Sequence, residues 1–167
     1  PTYTSLSKIL GAKVVNYNLD EDNGWQPDFE ELEHRDLSRV KLMWTNYPNM
    51  PTGGDARMET YRKLVDFARR HDIVVVNDNP YSFILNEHPL SLLQVEGAKD
   101  CCIELNSMSK GYNMPGWRVG MCVSNPQFIS WILKIKSNID SGTFRGLQLA
   151  AAEALTTNTE EWHREYN

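Results

Sequence analysis

Short apolar runs alternate with stretches of helical periodicity along this chain, and that alternation constrains its fold more than any other feature. Ile73-Val74-Val75-Val76 is a β-branched run of strand length, the composition of a strand buried on both faces of a parallel sheet. Val40 to Trp44, Cys101 to Leu105 and Val119 to Val123 read the same way, and a further strand is predicted near Val14 to Leu19. That strand leads through Asn23-Gly24 into a short helix from Pro27-Asp28 to His34. The clearest helix runs from Asp55 to Arg70, where Asp55 suits an N-cap and Met58, Tyr61, Leu64, Val65 and Ala68 share one face. After Ile73 to Val76 comes an irregular stretch through His88-Pro89. Pro126 opens a helix that runs to Lys136, and a last helix spans Phe144 to Thr156 before a polar tail. This order predicts the α/β class: three layers, α/β/α, around a mostly parallel sheet.

Composition removes several kinds of partner. The net charge of −5 argues against nucleic acid and against an anionic membrane surface. No apolar run approaches the ~18 residues that a membrane span needs. A length of 167 residues suits one domain that buries a core without metal or disulfide. Cys101 and Cys102 are adjacent at a predicted strand start, where neighbouring side chains point to opposite faces; Cys122 lies in the next strand. Zinc spacing is missing, so the three thiols read as reduced, half-buried groups in a cytoplasmic protein. His34, His71, His88 and His163 are scattered, and no metal site is expected. The Arg69-Arg70 pair is expected at a helix C-terminus, where it favours the dipole.

Three connections carry chemistry. The first is Ser107-Met108-Ser109-Lys110-Gly111-Tyr112-Asn113-Met114-Pro115-Gly116-Trp117-Arg118, between two predicted strands. An amine becomes a nucleophile toward a carbonyl when burial or a neighbouring cation depresses its pKa. Arg118 is a candidate cation and also a two-pronged phosphate clamp, and Ser107 and Ser109 add hydroxyls for the same anion. A phosphate held here while its aldehyde reacts with Lys110 describes pyridoxal phosphate. The second is Asn77-Asp78-Asn79-Pro80-Tyr81, where Asp78 falls as the strand ends. A carboxylate there could pair with a protonated pyridine nitrogen, and Tyr81 could hydrogen-bond the ring's phenolic oxygen. The third, Asn46 to Gly54, is a loop shaped by Pro48, Pro51, Gly53 and Gly54. Taken singly, each has a plainer explanation. The lysine and serines could be solvated, Asp78 a cap or turn residue, Tyr81 a rim aromatic, and the third loop a strand-to-helix turn.

Together and in this order, the three segments resemble the class I/II aminotransferases, enzymes of pyridoxal-phosphate fold type I. The family's N-x-P-x-N-P-T-G loop is similar to Asn46 to Gly53, its D-x-x-Y to Asp78 to Tyr81, and its S-x-S-K followed by G-x-R to Ser107 to Lys110 with Gly116 to Arg118. The resemblance runs from Pro1-Thr2-Tyr3 to the helix around Leu147 to Leu155. It implies that Lys110 forms the Schiff base and then shuttles the proton at the substrate Cα. It implies further that Asp78 pairs with the pyridine nitrogen, Tyr81 bonds the phenolic oxygen, and Ser107, Ser109 and Arg118 hold the phosphate. The chain departs from the pattern at Met50, which stands where the family has an asparagine. A thioether cannot donate a hydrogen bond. Tyr81 is then expected to act alone on the phenolic oxygen, with Asn49 as the other candidate.

The resemblance places residues 1–167 in the large domain, the pyridoxal-phosphate-binding part of the fold. By the same pattern the N-terminal arm, the glycine-rich phosphate loop, the aromatic that stacks on the ring and the C-terminal small domain with its carboxylate-binding arginine are expected to be absent. The implied activity is amino transfer between an amino acid and a 2-oxo acid by a homodimer whose apolar trailing helix favours association. A carbon–sulfur β-lyase on the same scaffold and a non-catalytic scaffold are the alternatives.

Overall fold

The computed structural model describes residues 2–167; Pro1, where the resemblance begins, lies outside the described residues. Four strands form one sheet in the order β1 (Leu42–Asn46), β2 (Val74–Asp78), β3 (Cys102–Ser107) and β4 (Gly120–Val123). The first three are parallel and β4 runs antiparallel to β3. The register sets Asn46 beside Asp78 and Asp78 beside Leu105, so β1, β2 and β3 end along one edge. Ligands bind at such carboxyl ends in open α/β sheets. Ser107 pairs with Gly120, and everything between them is the lysine connection.

Helices cover both faces. On one face α3 (Met58–His71) buries Tyr61, Leu64, Val65, Phe67 and Ala68 against Met43, Val75 and Cys102. On the other, α6 (Pro126–Ile139) lays Phe128 and Ile132 on Val76, Ile103 and Leu105. The alternating valines of β2 feed both clusters, Val75 one and Val76 the other, which is why that strand is apolar throughout. Burial of these side chains, at about 25 cal/mol per Å² of apolar surface, is what drives the layers together. The three-layer α/β/α arrangement expected from the order of elements is the one observed. Among the described residues, no helix is long and apolar enough to cross a membrane.

Several local expectations shift. The predicted strand from Val14 to Leu19 forms only an isolated antiparallel bridge, Leu19 to Pro27. It is held by a side chain instead, with the Tyr17 hydroxyl donating to Trp44 O at 2.7 Å. Strand β1 lies two residues later than the apolar run indicated, because Thr45 and Asn46 continue the ladder with Asn77 and Asp78. Helix α3 starts after Asp55: Arg57 takes the N-cap position and makes no side-chain cap, while Asp72 ends the helix at φ 51°. Arg69 and Arg70 do lie in its last turn. A short helix, α2 (Phe29–Glu33), is capped by Asp28, whose carboxylate accepts from Glu31 N–H.

Cys101 and Cys102 do not point to opposite faces of a strand. Cys101 ends the short helix α4 (Ala98–Cys101) and Cys102 begins β3, so both thiols are buried, with their sulfurs 3.7 Å apart. Two elements carried no clear sequence signal: α1 (Thr2–Ile9), and α8 (Thr159–Tyr166) within the polar tail. The trailing helix, α7 (Arg145–Thr156), packs Ala151 on Met108 and Tyr112 beside the lysine connection rather than on the centre of the sheet.

Candidate functional site

Asp78 is the last residue of β2 and is half-buried. Its side chain lies on the face of Val76, because strand residues two apart share a face. Tyr3 of α1 donates its hydroxyl to Asp78 Oδ2 at 2.5 Å, and its ring stacks on Trp44 with centroids 4.6 Å apart. Burial first, then the bond to Asp78, pushes the Tyr3 phenol well above its ordinary pKa. The Asp78 carbonyl accepts from Asn46 Nδ2 at 2.8 Å, which ties the ends of β1 and β2 together.

The lysine connection turns through α5 (Met108–Gly111). Ser107 is its N-cap, accepting from Ser109 N–H at 3.1 Å. Met108 and Gly111 are buried while Lys110 is exposed, so the turn is anchored on its inner side and presents the amine outward. Lys110 Nζ lies 6.0 Å from the centre of the Tyr81 ring, which brings the second and third strand ends into one place. Arg118 is exposed at the end of a single helical turn, Pro115 to Trp117, and its guanidinium donates to Pro115 O at 2.9 Å.

The third loop is fixed from within. Met50 N–H donates to Asn46 Oδ1 at 2.8 Å, Asn49 Nδ2 to Asn46 O at 3.3 Å, and Thr52 Oγ1 to Asn49 Oδ1 at 2.7 Å. Asn49 therefore spends its carboxamide on the loop, while Met50 is 58% exposed. Asn46 is the pivot, holding Met50 through its oxygen and Asp78 through its nitrogen.

Behind the lysine turn, α8 adds a clamp. Trp162 Nε1–H donates to Gly111 O at 2.8 Å, and the His163 ring stacks on Phe83 at 4.6 Å. Asn167 bonds the backbone of both Phe83 and Leu85. His163 thus sits in an aromatic setting between Phe83 and Tyr112, not among polar groups.

Tyr81 and Lys110 are consequently neighbours beside the sheet edge at which Asp78 ends β2, with Ser107 and Ser109 on the same turn as Lys110. Sequence reasoning did not single out Tyr3 or Trp44, because their contacts span 75 and 41 positions of chain and neither sits in a recognisable motif. Among the described residues, no cluster of three metal-binding side chains occurs.

Known proteins place this geometry in context. The model of the family described as aminotransferase class I and II matches residues 1–167. An LL-diaminopimelate aminotransferase of Dehalococcoides mccartyi is 41% identical over 162 residues, covering 96% of this chain and 42% of that protein. One from Aquifex aeolicus is 40% identical over 163 residues, with the same coverage of 96% and 42%. Among solved structures, substrate-bound BacF from Bacillus subtilis superposes with a TM-score of 0.92 at 37% identity, over 98% of this chain and 42% of that one. An aspartate aminotransferase from Thermus thermophilus gives 0.90 at 26% identity, over 98% and 43%. The chain spans about two-fifths of the length of the relatives it matches.

Proposed function

The chain belongs to aminotransferase class I and II, and from that premise we propose that it forms the cofactor-binding part of a pyridoxal-phosphate-dependent aminotransferase. The reaction would exchange an amino group between an amino acid and a 2-oxo acid. The observation that carries the reading is the approach of Lys110 to the Tyr81 ring, which brings together the connections leaving the carboxyl ends of β2 and β3, the first of which begins at Asp78.

The donor set fits the group. Asp78 offers a half-buried carboxylate whose only side-chain partner among the described residues is the Tyr3 phenol. Lys110 offers an exposed amine, Ser107 and Ser109 offer hydroxyls, and Arg118 an exposed guanidinium. When bound, pyridoxal phosphate supplies an aldehyde that captures amines and a ring that withdraws electrons from the substrate Cα. Asp78 would accept from the pyridine N–H, and Tyr81 would donate to the phenolic oxygen. Ser107, Ser109 and Arg118 would bind the phosphate through charge-assisted hydrogen bonds. Lys110 would attach the group, then take and return the proton at Cα as a general base and acid. Asn49, with its carboxamide engaged in the loop, is the remaining cofactor-binding candidate.

Residues 1–167 would make up part of a large domain, with the N-terminal arm and small domain of the family lying outside this stretch. The relatives' names suggest an amino acid with a second amine and carboxylate as the first substrate to test. A homodimer is supported by the apolar residues that α6 leaves exposed, Trp131, Leu133, Ile135 and Ile139. Three free cysteines suit a cytoplasmic setting.

The test is an absorption titration of the full-length protein with pyridoxal phosphate, beside Lys110→Ala and Asp78→Ala. A visible band lost in the lysine variant, and formed with weaker affinity in the aspartate variant, is expected. A band that survives Lys110→Ala would overturn the reading. Keto-acid-dependent amino transfer, assayed against release of pyruvate and ammonia, separates a transaminase from a β-lyase.

A further inference from the structure

On the face of the sheet opposite the Asp78 side chain, Glu104 is buried at 7% exposure, the one charged residue of the buried set among the described residues. A carboxylate taken out of water is costly unless cations or hydrogen-bond donors surround it. No ion pair among the described residues includes Glu104. Donors take the place of a cation. Leu92 N–H bonds Oε2 at 2.8 Å, Asn77 Nδ2 bonds Oε2 at 3.3 Å, and Asn79 Nδ2 bonds Oε1 at 3.4 Å. Every one of these partners is a donor, which matches the acceptor-only character of an ionised carboxylate.

Two of those partners flank Asp78 in sequence. Strand alternation turns Asn77 toward Glu104 and sends Asp78 to the other face. One carboxylate therefore holds the residue before Asp78 with one oxygen and the residue after it with the other. Both carboxamides are themselves fully enclosed, Asn77 at 0% exposure and Asn79 at 2%. Asn77 is set by the Thr45 hydroxyl, which donates to its Oδ1 at 3.0 Å. Asn79 Oδ1 has no partner among the described residues, so that side chain is held through its nitrogen, by Glu104 and by Leu90 O at 3.3 Å. The Asn79 backbone is pinned as well: its N–H donates to Leu105 O at 2.8 Å, and its carbonyl accepts from Asn106 Nδ2 at 2.9 Å.

For stability alone, packed apolar side chains in place of Glu104 and its carboxamide partners together would serve as well or better. A buried charge whose carboxamide partners bracket the ligand-facing aspartate is better accounted for by orientation. We infer that Glu104 is a positioning residue of the proposed cofactor site: its carboxylate grips Asn77 and Asn79 and so fixes the direction in which Asp78 presents its own carboxylate, together with the start of the segment that carries Tyr81. The inference rests on the cofactor reading above and names a residue that reading does not use.

The experiment compares Glu104→Gln with wild type in the full-length holoenzyme, by absorption titration with pyridoxal phosphate and by the pH midpoint of the lysine-dependent band. Glu104→Gln keeps the volume but offers an amide N–H to partners that are already donors. Cofactor affinity is expected to fall about tenfold, as for other supporting residues of a binding site, and the band midpoint to shift. Asn79→Ala, which releases one arm only, covers the case in which Glu104→Gln does not fold; a smaller loss in the same direction is expected. Unchanged affinity and midpoint in the folded variant, with only thermal stability lowered, would show a purely structural role and overturn the inference. A wild-type protein with no lysine-dependent band would overturn the cofactor reading and this inference with it, and the wild-type titration tells the two failures apart.

Discussion

Tyr3 donates its hydroxyl to Asp78 Oδ2 across 75 positions of sequence, and so joins the first helix to the strand end that faces the candidate site. Helix α1 has no buried residue, so this bond and the stack of Tyr3 on Trp44 are its main anchors. With its phenol pushed far above the ordinary value, Tyr3 remains a donor at any pH the protein meets.

Tyr3→Phe keeps the stack and deletes the donor. The expected cost is about 1 kcal/mol, the size of one typical hydrogen bond. Urea denaturation measures it. Cofactor titration of the same variant is expected to show weaker binding, because Asp78 loses the group that orients it. Identical curves for variant and wild type would mean that Asp78 is held by the strand alone.

The elements that were legible in the sequence are those whose neighbours are local or whose composition leaves one solution. Four valines and isoleucines in a row fix β2 as a buried strand, and the apolar face of α3 repeats at helical spacing. The lysine connection was legible because Ser107, Lys110 and Arg118 lie within twelve residues. What was hidden depends on pairing. The run from Val14 to Leu19 has the pattern of a strand but, among the described residues, no ladder to join. Glu104 looks like one polar residue in an apolar run, and only the register that sets it beside Asn77 shows what it does. The path of α8 over Gly111 had no signal at all in a stretch that reads simply as polar.

Met50 is a test of how far the loop and the cofactor can be separated. Its backbone N–H holds Asn46 Oδ1, whereas its side chain is exposed and makes no hydrogen bond. Met50→Asn restores the residue usual in the resembling family without touching the loop's own bonds. Stability is expected to change by no more than about 0.5 kcal/mol, as for most exposed substitutions. The pH midpoint of the lysine-dependent band is expected to fall, because an added donor favours the deprotonated phenolic oxygen of the cofactor. A large loss of stability would show that the side chain supports the loop, and a midpoint that does not move would show that residue 50 does not reach the cofactor.

His163 gives the fold a predictable weakness on the acid side. Its ring stacks on Phe83 and lies 5.1 Å from Tyr112, and its Nε2 is buried with no hydrogen-bond partner among the described residues. Desolvation lowers its pKa below the ordinary histidine value, outweighing the opposing pull of the Gly111 backbone. The unfolded chain therefore takes up this proton at a higher pH than the folded one. Above the unfolded value of about 6.5 both states are neutral and the group contributes nothing. As pH falls through that value, protonation favours the unfolded state, and the loss levels off only below the folded pKa. His163→Phe keeps an aromatic ring on Phe83 and removes the titration. The drop in thermal midpoint between about pH 7.5 and about pH 5.5 is expected to be smaller in the variant than in wild type. Parallel curves would place the acid sensitivity elsewhere. The neighbouring carboxylates Glu160 and Glu161 are exposed on the same helix, and their substitution by glutamine is the control that isolates the ring.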